Sequence, residues 1–307
     1  MTRLLVTGAN GQLGRRLLTA LPASVEVEAV VRSERARDRL ARHAGARGGL
    51  AIHVLDPADP AALAPLAART DAAVHLIGTI KESRTNRYVD SHQRPIEALL
   101  AAARGGTLDH VVYVGILGAA ADSACACLRA RAAVERALAA APLATSVIRV
   151  PMVIGEGDRA SAALARRAGA RHAWLWRGAS LEQPIYAGDV VAAIRARLAA
   201  PTDPHRVFDL AGPESLSRAA LVARAARLAG RTPRIHSLPL AGALVLAGLL
   251  ERLQARPAIT RDMLRVLDHD DAIDPHPAAT ALGIELTALD TMLARCVVPR
   301  LVQASGR

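Results

Sequence analysis

The sequence predicts an α/β protein, a doubly wound parallel sheet followed by a smaller, mostly helical C-terminal lobe. Three observations carry this. Short aliphatic runs alternate with alanine-rich helical stretches through the first half of the chain. The first of these runs leads into a loop of spaced glycines and then a helix. After Val150 the alternation loosens, broken at Gly155, Gly157, Gly169, Gly178 and Pro184. Strand and helix in strict alternation imply right-handed crossovers and a sheet covered on both faces.

In order, strands are predicted over 3–7, 25–31, 50–55, 72–77, 110–115 and 145–150, each a short β-branched or aliphatic run. Continuous apolar stretches such as Ala29 to Val31 and Val111 to Val114 suit strands buried on both faces. Helices are predicted between them over 12–21, 34–43, 59–69, 87–104 and 128–141. Residues 1–155 form the first domain. Residues 156–307 form a smaller lobe that interleaves with the sheet and returns one strand to it near 206–210.

Composition narrows the function. The chain has 307 residues, 51% of them hydrophobic, which rules out disorder. Its formal charge is +11, yet 38 of the 39 basic residues are arginine and only Lys81 is lysine. Together with the alanine runs, that bias reads as a GC-rich coding habit rather than a polyanion-binding surface. Aromatic residues make up 2%, too few for base-stacking platforms, so no nucleic-acid partner is expected. Cys125, Cys127 and Cys296 are too few for a disulfide framework and indicate a reducing, cytoplasmic setting. No metal site is expected, because Cys125 and Cys127 are too close for a zinc hairpin and no histidine cluster accompanies them. The start of the chain reads as a strand and its turn, not a secretory signal. The longest apolar run, 238–250, is too short to span a bilayer, leaving a buried helix or an interfacial one, with burial favoured.

The first strand runs directly into Thr7-Gly8-Ala9-Asn10-Gly11-Gln12-Leu13-Gly14 and then a helix. Glycines permit a tight turn and close approach of backbone to a pyrophosphate, while the helix start offers unpaired N–H groups and a positive dipole end. The spacing is Gly-x-x-Gly-x-x-Gly, and its place between strand and helix is what makes it a dinucleotide loop. An NAD-selective site usually ends the second strand with a carboxylate. Here that strand ends in Arg32, suited to a 2′-phosphate, so NADP(H) is expected over NAD(H). Asp56, closing the third strand, is placed to meet the adenine amino group. Gly78, after the fourth, would let backbone lie near the ribose and nicotinamide.

These residues, with His75-Leu76-Ile77-Gly78 and Ile148-Arg149 followed by Gly155-Glu156-Gly157-Asp158, resemble the extended and atypical short-chain dehydrogenase/reductases, a Rossmann-fold group. The second half, with Gln183-Pro184-Ile185-Tyr186, Asp189-Val190, 208–214 and 259–262, is similar to bacterial relatives of the NADPH-carrying accessory subunit of respiratory complex I. That branch is often labelled NAD-dependent epimerase/dehydratase. Active members of the family carry Ser or Thr at the end of strand five and Tyr-x-x-x-Lys on the next helix. The resemblance puts Gly115, Cys127 and Arg131 at those positions. Since the only tyrosines are Tyr88, Tyr113 and Tyr186, no Tyr-x-x-x-Lys exists in the chain. Arg131 keeps a positive charge for ribose hydroxyls but holds its proton too tightly to relay it.

The expected function is therefore an NADP(H)-binding protein without that relay, cofactor-bound and non-catalytic or weakly active, with a small apolar molecule or a protein as partner. The alternative is an NADPH-dependent oxidoreductase acting on a quinone, carbonyl or nucleotide-sugar-like substrate, its proton coming from water, Cys127 or Tyr88. Cys127 has a blander reading as a packed core thiol. Lys81, Arg84, Arg87, Tyr88 and His92 follow the fourth strand where a ligand would sit, though a solvated helix start explains the same letters. Trp174 and Trp176 either line a substrate pocket or cap the lobe. Contact with a membrane surface, peripheral to the inner membrane, is a third expectation, carried by 238–250 and its arginines.

Overall fold

The computed structural model describes residues 3–45, 47–80, 82, 86–200, 203–254, 260–266 and 270–305. The chain opens with β1 (Arg3–Thr7), α1 (Gln12–Ala20), β2 (Glu26–Val31), α2 (Glu34–Ala44), β3 (Leu50–Val54), α3 (Pro60–Ala67) and β4 (Ala72–His75). α4 (Arg94–Ala102), β5 (His110–Ile116), α5 (Ala126–Ala139) and β6 (Ala144–Val150) follow. Next come β7 (Val153–Ile154), α6 (Arg159–Gly169), β8 (His172–Trp176), β9 (Leu181–Glu182), β10 (Ile185–Tyr186), α7 (Ala187–Ala199) and β11 (His205–Asp209). β12 (Leu216–Ser217), α8 (Arg218–Leu228), β13 (Arg234–Leu238) and α9 (Leu240–Leu253) precede the shorter C-terminal helices.

Two compact units arise from this chain: residues 1–149 with 191–208, and residues 150–190 with 209–307. The first is built on a seven-stranded sheet in the order β11-β6-β5-β4-β1-β2-β3. β1 pairs in parallel with β2 and β4, β2 with β3, and β4 with β5. Strand order therefore reverses between β1 and β4, which opens a crevice beyond their carboxyl ends. Leu5, Ala73, Val111 and Val147 of the strands pack with Leu63, Leu99 and Leu138 of the covering helices in one buried core.

One helix departs from the sequence expectation. Instead of a continuous helix over 87–104, a π-helical turn at Val89–Gln93 precedes α4. Pro95 has no N–H to donate back to Ser91, so the turn before it widens. β4 also stops at His75, two residues short of the prediction, although the Leu76 amide still donates to the Thr7 carbonyl at 3.0 Å. The next residues leave the sheet toward the crevice.

In the second unit, α6, α8 and a helix at Leu289–Cys296 surround a core that includes Ile154, Leu164, Leu175, Leu221 and Met292. Several residues carrying the family resemblance are staples here. Gln183 donates to the Gly212 and Ile273 carbonyls at 2.8 and 2.9 Å and accepts from the Ile273 amide at 2.9 Å. Asp189 accepts from both the amide and the hydroxyl of Thr287 at 2.8 Å. Burial holds the Asp189 carboxyl above its usual range despite those bonds. The sequence predicts only one strand beyond Val150. Among the described residues the structure adds six short ones, because two-residue ladders, the His-Ala-Trp-Leu-Trp of β8 and the mixed Arg-Ile-His-Ser-Leu of β13 carry no aliphatic run to reveal them. It also departs from the expected burial of 238–250: α9 buries Ala243 and Ala247 and exposes several of its large aliphatic residues.

Candidate functional site

The opening loop packs against the end of β4. Gly8 has φ of +74°, a left-handed backbone, and a Cβ there would come within 2.9 Å of the Leu76 backbone, so only glycine fits. Its carbonyl accepts from the Gly11 amide at 2.9 Å, closing the turn. Gly14 lets α1 press onto the loop, since a Cβ would lie 2.5 Å from the Ala9 carbonyl oxygen. No side chain caps α1 and no acidic residue stands in its first turn. Its first amides and dipole are thus left for an anion.

Above this loop lies a cleft of about 370 Å³. Gly8, Asn10 and Gly11 form one wall, and Leu76, Ile77 and Gly78 another. The end of β2 and the start of α2 supply Arg32, Ser33, Arg35 and Arg39, with Pro57 beside them. Arg35 and Arg39 are four apart and share a helix face. Ser33 caps α2, accepting from the Ala36 amide at 3.3 Å. The lining thus includes three arginines and no acidic residue. The Asn10 Oδ1 atom is buried and has no partner among the described residues.

Of the residues singled out from sequence, Gly8, Asn10, Gly11, Arg32 and Gly78 line this cleft. Thr7, Gln12, Leu13, Gly14, Asp56 and Arg131 do not. Thr7 is buried under the loop, its hydroxyl 2.8 Å from His75 Nδ1. Gln12 accepts from Arg15 at 2.9 Å. Asp56 is exposed and caps its own turn through the Ala58 amide at 3.0 Å. Arg35 and Arg39 were not anticipated as a group; in a chain with 38 arginines, only their helical spacing after Arg32 could have marked them.

Behind Gly78 lies a buried polar cluster. A Cβ on Gly78 would meet Arg131 Nη2 at 2.7 Å and His92 Cε1 at 3.0 Å, so this glycine leaves both side chains next to the cleft wall. Arg131 donates to the Tyr113 hydroxyl at 3.2 Å and the Val114 carbonyl at 3.3 Å. Burial opposes its charge, but Tyr113 and Cys127, both hydrogen-bonded to it, hold its pKa above the ordinary value. Cys127 is fully buried, with its sulfur 3.5 Å from the Thr79 carbonyl. His92 sits 2.8 Å from the same carbonyl through Nε2, and its Nδ1 has no partner among the described residues. Burial, then the Arg131 charge, pushes His92 down to about 4. His75 falls to about 3 through burial and the charges of His92 and Arg131. Both rings are neutral at pH 7.

Tyr88 stacks on His92 and donates to the Ile80 carbonyl at 3.1 Å. Both rings are buried, so a solvated helix start describes only Arg87. Lys81 and Arg84 lie outside the described residues, as does Ile259. Gly115 adjoins an ion pair: a Cβ there would lie 3.1 Å from Glu135 Oε1, and Arg149 grips both Glu135 oxygens at 2.6 to 3.1 Å. A hydroxyl-bearing side chain at 115 would compete with that pair for space.

Comparison with known proteins agrees with this geometry. A family model described as NAD(P)H-binding matches residues 8–168. The chain is 29% identical over 243 residues to the NADH dehydrogenase [ubiquinone] 1 alpha subcomplex subunit 9, mitochondrial, of Arabidopsis thaliana, covering 76% of this chain and 60% of that protein. It is 22% identical to the NADH-ubiquinone oxidoreductase 40 kDa subunit, mitochondrial, of Neurospora crassa, over 91% of this chain and 74% of that one. In fold it is similar to the UDP-glucuronic acid 4-epimerase of Bacillus cereus, solved with UDP-glucuronic acid and NAD. The TM-score is 0.74 at 16% identity, with 98% of this chain and 99% of that one covered. With more than half of its length matched, the chain belongs to the NAD(P)H-binding family.

Proposed function

We propose that this protein binds NADP(H) in preference to NAD(H) and keeps it bound with little or no turnover. The observation carrying this is the charge pattern of the cleft, whose lining includes Arg32, Arg35 and Arg39 and no acidic residue. A ribose diol prefers an acceptor carboxylate there, whereas a 2′-phosphate prefers guanidinium groups. The uncapped α1 start and the Gly8 turn suit a pyrophosphate, and the unpartnered Asn10 oxygen is an acceptor waiting for a donor. Gly78, Arg131 and His92 would flank the nicotinamide ribose. Bound NADPH would supply a hydride; the residues at the family's proton-relay positions are Gly115, Cys127 and Arg131, none equivalent to its hydroxyl, phenol and amine.

Cys125, Cys127 and Cys296, buried and not joined in disulfides, support a reducing, cytoplasmic location. The relatives' names, subunits of NADH dehydrogenase and of NADH-ubiquinone oxidoreductase, support a protein partner. A second reading, an NADPH-dependent oxidoreductase, is favoured only by the bond between Arg131 and the Cys127 sulfur, which would stabilise a thiolate.

Titration calorimetry with NADPH, NADH and 2′,5′-ADP tests the first reading. NADPH and 2′,5′-ADP should bind more tightly than NADH, and Arg32→Asp should weaken both by about tenfold or more while sparing NADH. Failure of the protein to bind either dinucleotide overturns the reading, and equal losses for both remove Arg32 from the selectivity. NADPH oxidation with quinones and carbonyls, brisk in the protein and abolished by Cys127→Ser, would replace it with the second.

A further inference from the structure

We propose that α9 and the adjoining β8/β13 ribbon form a docking surface for an anionic membrane. This inference concerns the second unit alone and does not rest on the nucleotide reading.

α9 turns its side chains the opposite way from a core helix. It buries its small residues Ala243 and Ala247 against Leu264, with Trp176, Leu240 and Leu244 packed around them. Its large residues face out: Val245 is 76% exposed, Leu246 49%, Leu249 53% and Leu253 73%. At 100° per residue these four and Gly242 fall within one arc of about 100°, a continuous apolar stripe. The ribbon packs against the buried side of this helix through Trp176 and carries an exposed aromatic residue of its own. β8 and β13 pair in parallel, with Trp174 opposite His236. Side chains alternate along a strand, so Trp174 shares a face with Trp176, which packs under α9. Trp174 itself is 58% exposed, stacked on His236 at 4.3 Å.

Two arguments identify the occupant. The stripe is about 18 Å long and about 10 Å wide, roughly 180 Å², under a quarter of the roughly 800 Å² per side that a stable protein interface needs. A bilayer needs no matching surface, since an amphipathic helix lies in the interface with its apolar side immersed. No helix among the described residues is long and apolar enough to cross a membrane. Charge points the same way. Residues 231–265 contain six arginines against Glu251 and Asp262. Glu251 is paired with Arg261 at 2.8 Å and Asp262 with Arg265 at 4.0 Å, while Arg234 and Arg252 are exposed, as is Arg171 beside the ribbon. Exposed tryptophan, aliphatic stripe and flanking arginine together are the surface that anionic headgroups attract.

Flotation of the full chain with phosphatidylcholine vesicles carrying roughly one-third phosphatidylglycerol tests this. The protein should float with these vesicles, bind pure phosphatidylcholine less and detach in high salt. Val245→Glu with Leu249→Glu should cut vesicle binding by about tenfold or more with an unchanged circular dichroism spectrum, both positions being on the exposed stripe. An independent readout is the tryptophan emission, which should shift to the blue on binding. Wild-type protein that stays with the buffer overturns the proposal, as does a folded double variant that floats equally well. Self-association abolished by the double variant, without vesicle binding, would assign the stripe to a second copy instead and equally overturn it.

Discussion

Lowering the pH from about 7.5 to about 5.5 should remove a large share of the first unit's stability, because three of its histidines are folded in the neutral state. His75, His92 and His110 are all buried. Burial leads in each case. The charges of His92 and Arg131 add to it for His75, that of Arg131 for His92, and that of Arg197 for His110. Their pKa values fall from 6.5 to about 3, about 4 and about 4. In the unfolded chain the same rings protonate near their ordinary value, so between that value and the folded ones the unfolded state binds more protons. Stability is full above the ordinary value and falls as the pH drops. At about pH 5.5 each histidine has given up about 1.4 kcal/mol, or about 4 kcal/mol for the three. Against a typical domain stability of about 5 to 15 kcal/mol, that moves a urea midpoint by more than about 1 M. Urea titrations followed by circular dichroism, with hydrogen exchange of β4 and β5 amides to assign the transition, measure it. His75→Gln should flatten the pH dependence by about a third, one histidine of three. A midpoint that does not change across the interval refutes the reasoning, as the Glu28 carboxylate, held below its usual range against the burial that raises it, titrates only at lower pH.

Other outcomes follow from single contacts. Gly8→Ala places a Cβ within 2.9 Å of the Leu76 backbone at a left-handed φ, and should cost about 1 to 3 kcal/mol and weaken nucleotide binding, read by urea titration and calorimetry. Arg131→Met removes a charge that depresses His92, so the His92 imidazole should titrate higher, followed by its Cε1 proton in NMR; an unmoved titration would leave burial as the whole cause. Glu135→Gln leaves Arg149 without its paired carboxylate and should cost about 2 to 4 kcal/mol in urea titrations, more than an exposed pair would.

Local rules account for the legible part of this fold. Strands buried on both faces write continuous aliphatic runs, so β1, β2, β5 and β6 were placed within a residue or so. The glycine loop was legible because each glycine answers a steric demand that shows as spacing. The arginine face of the cleft was only partly legible: Arg32 follows from its strand, but Arg35 and Arg39 depend on the register of α2. Least visible was the cluster behind Gly78, where residues 75, 92, 113, 127 and 131 meet through tertiary packing. Apart from Cys127 and Arg131, four apart on α5, no sequence period links them, and the His92 Nδ1, without a partner among the described residues, has meaning only beside Arg131.

The central sheet is completed late in the chain. One of its two edge strands, β11, comes from residues 205–209, more than fifty positions after β6 ends. While the polypeptide is being made, β6 therefore stands as a bare edge until residues 150–190 of the second unit and α7 have emerged, with its amides and carbonyls open to any extended neighbour. Cutting the gene after codon 150 would yield that unfinished edge permanently, a fragment prone to clump rather than an isolated nucleotide-binding domain. Shortening experiments on this protein should keep residues 191–209 attached.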